Sequence, residues 1–180
     1  MAHPTNTFLT MTIRKILKYP NPILRRKADP VTTFDDELKT LVADMAETMY
    51  DAPGVGLAAN QIGVTKQIVV IDITGSEAEE KELITLINPK IVKGEGSAED
   101  EEGCLSVVDL NAKVKRFTKI WVEAQDIDGK PLVFEAEDYY ARVIQHEVDH
   151  LQGKLFVDYL SSLKRQRIKK KLVKQHKQNA

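Results

Sequence analysis

The sequence predicts an α+β fold with mostly antiparallel β-sheet, a largely buried helix, and a further basic helix or tail at the C-terminus. Three observations predict it. Apolar residues repeat at helical spacing near the start, at Leu38, Leu41, Val42, Met45 and Met49, and again around His146 and His150. Between these two stretches the chain carries several short β-branched or alternating runs, one of them broken by the hairpin dipeptide Asp128-Gly129. Strands that follow one another, with helices before and after them, favour antiparallel pairing over a βαβ pattern.

With 180 residues, 42% of them hydrophobic, the chain has enough length for one domain with a real core. A formal net charge of -1 argues against bulk nucleic-acid binding, and no DNA partner is expected. No apolar run is long enough to span a bilayer and no signal peptide opens the chain, so no membrane partner is expected either. Cys104 is the single cysteine, which excludes a disulfide within the chain and favours a reducing, cytoplasmic setting.

Taken in order, residues 1–12 read as a loose extension, 13–160 as the catalytic domain and 161–180 as a basic C-terminal helix or tail. Tyr19-Pro20-Asn21-Pro22 imposes an extended, helix-free path. A helix is expected from Phe34 to Tyr50, with Asp35, Asp36 and Glu37 loading its first turn. Gly54-Val55-Gly56-Leu57-Ala58-Ala59-Asn60-Gln61 is dense in small residues that permit close approach of another backbone. A phosphate-cradling loop is disfavoured there, because no Lys-Ser/Thr pair and no preceding strand accompany it. Gln67 to Ile73 reads as a buried strand. Leu83 to Val92 is extended, with Asn88-Pro89 marking an edge or a bend. From Gly94 to Gly103 the chain is acidic and polar. Phe117 to Gln125 alternates, with Ile120, Val122 and Ala124 on one side, and a second strand runs through Leu132, Phe134 and Ala136 after the turn.

The next helix is the centre of the chemistry. Its N-terminus is favoured by Glu137 and Asp138, and Gly153 closes it. Arg142, Gln145, Asp149 and Gln152 make one narrow polar stripe, while Tyr139, Tyr140, Val143, Ile144, Val148 and Leu151 occupy the rest. His146 and His150 stand one turn apart on one face, so a single metal ion is within reach of both imidazoles. Glu147 lies about 100° around from His146, beside that ion, placed to take a proton from water. Two core histidines satisfied by carbonyls are the plainer alternative, and the HExxH pattern alone does not decide between them.

A catalytic site of this kind has three protein ligands and an open position. Four histidines are present. The metzincin pattern requires a histidine at position 156, where Phe156 stands, and no acidic residue follows Asp158. The third ligand is therefore sought upstream, and Cys104, in a glycine-bounded polar turn, is the candidate. A Cys-His-His set suits Zn(II) or Fe(II), and the residue types do not choose between them.

Three stretches in this order resemble the motifs of the bacterial peptide deformylases: Gly54 to Gln61, Glu102-Gly103-Cys104-Leu105-Ser106, and Gln145-His146-Glu147-Val148-Asp149-His150-Leu151. The likeness runs from about Ile13 to Leu160. It implies antiparallel sheets around the HExxH helix and removal of the N-formyl group from the initiator methionine of new polypeptides in the bacterial cytosol. It further implies Fe(II) as the usual metal on Cys104, His146 and His150, with Zn(II), Ni(II) or Co(II) able to take the same site. Glu147 becomes the general base and acid, and Gln61 with the Leu105 backbone N–H the oxyanion donors. N-formylmethionyl peptides would lie along Gly54, Val55 and Gly56, with Tyr139 and Val143 beside an apolar pocket. After Ser106 the family commonly continues Val-Pro-Gly; Val107-Val108-Asp109 stands here and bears on the path of that loop.

The segment from Ser161 carries Lys164, Arg165, Arg167, Lys169, Lys170, Lys171, Lys174 and Lys177. It reads either as a solvated helix face or as a contact for a polyanion such as RNA; the resemblance implies docking on the ribosome. Two other readings stay open: a metallopeptidase sharing the water-activating chemistry, and an RNA-binding module with a structural metal.

Overall fold

A computed structural model describes residues 11–180; the greater part of the extension expected to be loose, residues 1–10, lies outside them. Thr12 is not loose, since its N–H donates to Asp44 Oδ1 at 2.8 Å. The first helix, α1 (Asp36–Asp51), begins two residues later than the apolar repeat suggests. Asp35 has extended backbone, and its side chain accepts from Leu38 N at 3.0 Å, which makes it the cap instead of a helical residue.

Five strands form the main sheet in the order β1 (Gly56–Ala58), β2 (Ile68–Ile71), β3 (Ile84–Glu95), β6 (Lys119–Gln125), β7 (Pro131–Glu137), with every pairing antiparallel. A separate two-stranded sheet pairs β4 (Ala98–Cys104) with β5 (Val107–Arg116). The β-branched run of β2 is buried at every position because it is covered on both sides. Ile68 and Val70 pack with Met45 and Met49 of α1. Val69 and Ile71 pack with Ala141 and Ile144 of α2 (Asp138–Leu151). Ile120, Val122 and Ala124 fall on that second side, as the alternation of β6 requires. Apolar side chains from the sheet therefore enclose α2, and the HExxH helix sits at the centre of the fold.

One expectation is met by the structure and another is corrected. The edge or bend expected at Asn88-Pro89 is present: β2 pairs with β3 only over residues 84–87 and β6 only from Ile87 onward, so at Pro89 one side of β3 is unpaired. A bulge absorbs the missing N–H: the register with β6 shifts between Ile87 and Lys90, and Asn88 takes a left-handed φ of 51°. The Asn88 side chain is then turned outward to bond Val31 N, Val31 O and Gln125 Oε1. The proline-rich start is not helix-free. A 3-10 turn runs from Pro22 to Arg25, with Asn21 as its cap and proline in the first turn, where no N–H is needed.

The C-terminal helix α3 (Ser162–Gln178) is seated by a thin apolar line. Leu172 is buried and Ile168 half-buried against Val107, Val114, Phe156 and Val157, whereas Leu163 is exposed. No helix among the described residues is long and apolar enough to cross a membrane.

Candidate metal centre

The site is assembled from three places. α2 brings His146 and His150, the end of β4 brings Cys104, and the turn after β1 brings Gln61. Helix α2 can stop where it does because Gly153 adopts φ 72°, and a Cβ there would meet the Arg25 carbonyl oxygen at 2.4 Å. The first half of its polar stripe does not face water, contrary to what such a stripe usually means, while Asp149 is half-buried and Gln152 exposed. Arg142 and Gln145 are buried, and Gln145 bonds both backbone groups of Phe117.

Cys104 Sγ lies 3.4 Å from His150 Nε2, and the two histidine Nε2 atoms are 3.2 Å apart. One donor atom from each of Cys104, His146 and His150 falls within 4.8 Å of the others. Typical bond lengths to zinc of about 2.0–2.1 Å for nitrogen and 2.3 Å for sulfur give tetrahedral edges of about 3.3–3.4 Å and 3.5–3.6 Å. The observed separations are within about 0.2 Å of those edges, so the donor set fits a divalent cation of that size.

Glu102 orients this set. Its Oε2 is 2.9 Å from His146 Nδ1, which leaves His146 Nε2 facing Cys104 and His150. Three further bonds hold the carboxylate: Arg116 donates through Nε at 2.8 Å and Nη2 at 2.9 Å, and Arg142 through Nη1 at 2.9 Å. Arg116 also reaches Asp149 at 2.5 Å, and Arg142 the carbonyls of Val114 and Ala98 at 2.8 Å. Burial pushes the Glu102 carboxyl up, but Arg116 and His146 outweigh it and hold the group down at about 2. This buried cluster ties the hairpin that carries Cys104 to the helix that carries the histidines. Phe156, whose position the metzincin pattern would give to a histidine, packs its ring on His146 at 6.1 Å.

The imidazoles respond oppositely to their surroundings. Burial lowers His146, yet Cys104 and Glu102 draw it well above its usual range. Burial and the neighbouring His146 push His150 well below it. Both must be neutral to ligate, so uptake of a cation would expel a proton from His146.

Glu147 is 5% exposed, and its Oε2 has no partner among the described residues. Burial raises its carboxyl to about 7 despite the pull of His146. A carboxyl poised near neutrality beside a metal-sized gap suits proton transfer. The small residues of β1 make room for it. A Cβ on Gly56 would stand 2.5 Å from Glu147 Oε1, and one on Gly54 2.8 Å from Leu105 Cδ1. Within the chain, side chains thus approach both glycines closely.

Gln61 is buried with a fixed amide orientation. Its Oε1 accepts from Ala58 N at 3.0 Å, which turns Nε2 toward Ser106 Oγ at 3.1 Å and toward Cys104 Sγ at 3.7 Å. A cleft of about 440 Å³ opens beside these groups, lined by Gly54, Val55, Gly56, Leu105, Tyr139 and Val143 among others. Tyr139 is half exposed at 54%, and Val143 is buried. The Val107-Val108-Asp109 departure is accommodated by the backbone. Val107 pairs with Cys104, and Asp109 adopts φ 57°, the left-handed region natural to the glycine that commonly stands there.

Sequence reasoning missed the roles of Arg116, Arg142, Ser106 and the Glu102 carboxylate. Glu102 had a signal: two residues before Cys104 on a strand, it must face the same side as that thiol. The arginines had none, because their partners lie 14 and 40 residues away.

Comparison with known proteins agrees with this architecture. The chain is 53% identical over 164 residues to the peptide deformylase of Desulfotalea psychrophila, covering 91% of this chain and 97% of that one. It is 52% identical to that of Nitrosococcus oceani, covering 94% and 100%. A crystal structure of the Legionella pneumophila peptide deformylase superimposes with a TM-score of 0.85 at 49% identity, covering 93% of this chain and 98% of that one. The Thermus thermophilus structure gives 0.82 at 42% identity, covering 89% and 93%. The sequence profile described as polypeptide deformylase matches residues 13–166, and the chain belongs to that family.

Proposed function

We propose that the protein removes the N-formyl group from N-terminal methionine of newly made polypeptides, with a divalent cation held by Cys104, His146 and His150. The observation that carries this reading is the convergence of those three donor atoms beside the buried Glu147 carboxyl. When bound, the cation supplies Lewis acidity, making water acidic enough to attack and polarising the formyl oxygen. Glu147 takes the proton of the attacking water and returns it to the methionine nitrogen as the C–N bond breaks, releasing formate and a free amine. Negative charge developing on the formyl oxygen is met by Gln61 Nε2 and the Leu105 backbone N–H. Gln61 suits this role because its oxygen is committed to Ala58 N–H and its amide nitrogen faces the site.

β1 lies at the edge of the main sheet, bonded only to β2, so its other side can pair with an extended peptide. Gly54, Val55 and Gly56 supply that edge, and Tyr139 and Val143 flank the cleft where the methionine side chain would enter. Residues 13–160 are the catalytic unit in this reading. The basic outer face of α3, with Lys169, Lys170, Lys174 and Lys177 around Val173, is proposed as a ribosomal RNA contact, and a cytosolic setting is proposed with it. Assay of metal-loaded protein on formyl-Met-Ala-Ser, beside its acetylated form and ordinary unblocked peptides, tests the reaction. Release of formate from the first alone is expected; cleavage of internal peptide bonds instead would make the protein a metallopeptidase.

A further inference from the structure

The irregular segment that precedes the first 3-10 turn touches both segments of the oxyanion cradle. Leu17 N–H donates to the Gln61 carbonyl at 2.7 Å, and Tyr19 N–H to the Ser106 carbonyl at 2.8 Å. Between them the Lys18 ammonium donates to the carbonyl of Leu105. Gln61 and Ser106 are themselves buried and joined side chain to side chain. Three successive residues of one segment therefore fasten two others that are remote in sequence. The fastened turn is short: Leu105 and Ser106 alone connect β4 to β5, so a contact to either residue bears on the whole turn.

We propose that Lys18 is a positioning residue for deformylation. By holding the Leu105 carbonyl, it fixes the plane of the Leu105–Ser106 peptide and, through the Leu105 Cα, restrains the preceding peptide that carries the Leu105 N–H. Donors aimed in advance at developing charge act most strongly in the transition state, so the effect belongs in kcat and not in substrate binding. The proposal rests on the reading that Leu105 N–H is an oxyanion donor.

Lys18→Met keeps the aliphatic stem and removes the donor, Lys18→Arg restores a cationic donor, and Lys15→Met controls for loss of a neighbouring charge. In Lys18→Met, kcat on formyl-Met-Ala-Ser is expected to fall about three- to tenfold with KM within twofold. This is less than the roughly hundredfold for deleting a donor outright. Metal content and Tm are expected to be unchanged, and Lys18→Arg to recover most of the loss. A second readout does not depend on activity: in the zinc-loaded protein, the backbone amide resonances of Leu105 and Ser106 are expected to shift in Lys18→Met and return in Lys18→Arg. Unmoved Leu105 and Ser106 resonances would overturn the proposal whatever the enzyme does, as would an equal loss of kcat in Lys15→Met. If those resonances move while the unaltered, metal-loaded protein releases no formate, the clamp stands as a structural fact. The proposal that it serves deformylation is then overturned together with the reading beneath it.

Discussion

Replacing Glu102 by glutamine is expected to damage both the fold and the metal site, because this carboxylate is the acceptor for three side chains at once. Arg116, Arg142 and His146 all donate to it, and the two arginines are buried with it. Glutamine keeps the volume but has one acceptor oxygen where carboxylate has two, and its amide must face a guanidinium or the imidazole. Arg116 retains Asp149, while Arg142 is left with the carbonyls of Val114 and Ala98. Breaking one partner of a buried charge cluster costs about 3–5 kcal/mol. For a chain of this length each kcal/mol lowers Tm by roughly 2–4 °C, so a fall of roughly 6–20 °C is expected. With its orienting acceptor impaired, His146 should hold metal roughly 10- to 100-fold more weakly. Urea unfolding of the metal-free protein measures the first effect, and competition with a chromogenic chelator measures the second. A stability change below about 1 kcal/mol together with unaltered metal affinity would refute the role given to Glu102.

Three other expectations follow from the same geometry. Gln61→Ala should lower kcat roughly a hundredfold, as loss of one oxyanion donor does; a raised KM with unchanged kcat would make Gln61 a binding residue only. Glu147 must be a carboxylate to accept a proton, so kcat/KM should climb as pH rises through its pKa. That pKa is about 7 by burial, and a nearby cation lowers it, so the climb should lie at or below pH 7. It should vanish in Glu147→Ala, which keeps its metal, and persistence of the same limb there would reassign the base. Changing Lys169, Lys170, Lys174 and Lys177 to glutamine should remove salt-sensitive association with ribosomes while sparing activity on a short formyl-peptide. Charge removal is cleaner than truncation, because deleting α3 would strip Leu172 from its contacts with Val107 and Phe156. Ribosome binding that survives the four changes would return α3 to a solvated face.

Much of this arrangement could be read from the chain before the structure. The i, i+4 spacing of His146 and His150, the alternation of β6 and the closing Gly153 are local signals, and the structure places all of them where local rules require. The hairpin of β4 and β5 was opaque for a physical reason. Its residues are largely charged, and they are paired across the strands, Glu99 opposite Lys115 and Glu101 opposite Lys113, so no apolar alternation marks them. The inward charges, Glu102 and Arg116, look in sequence like any solvated residue and are buried only because they find one another and Arg142. Asn88-Pro89 was legible by contrast: local chemistry argued for an edge or bend, and the register shift there, with β6 the only partner beyond Ile87, supplies both.

The role of Cys104 as a ligand beside His146 and His150 underlies everything proposed for the site, and cobalt substitution tests it most directly. Cobalt-loaded native protein should show an intense thiolate-to-metal charge-transfer band in the near ultraviolet. Cys104→Asp, loaded to measured cobalt content, should keep the weaker visible bands of a low-coordinate ion and lack the charge-transfer band. An intense band in the native protein and none in Cys104→Asp is the predicted result. Cobalt-loaded native protein without that band, or a band that persists in Cys104→Asp, would contradict the three-ligand centre.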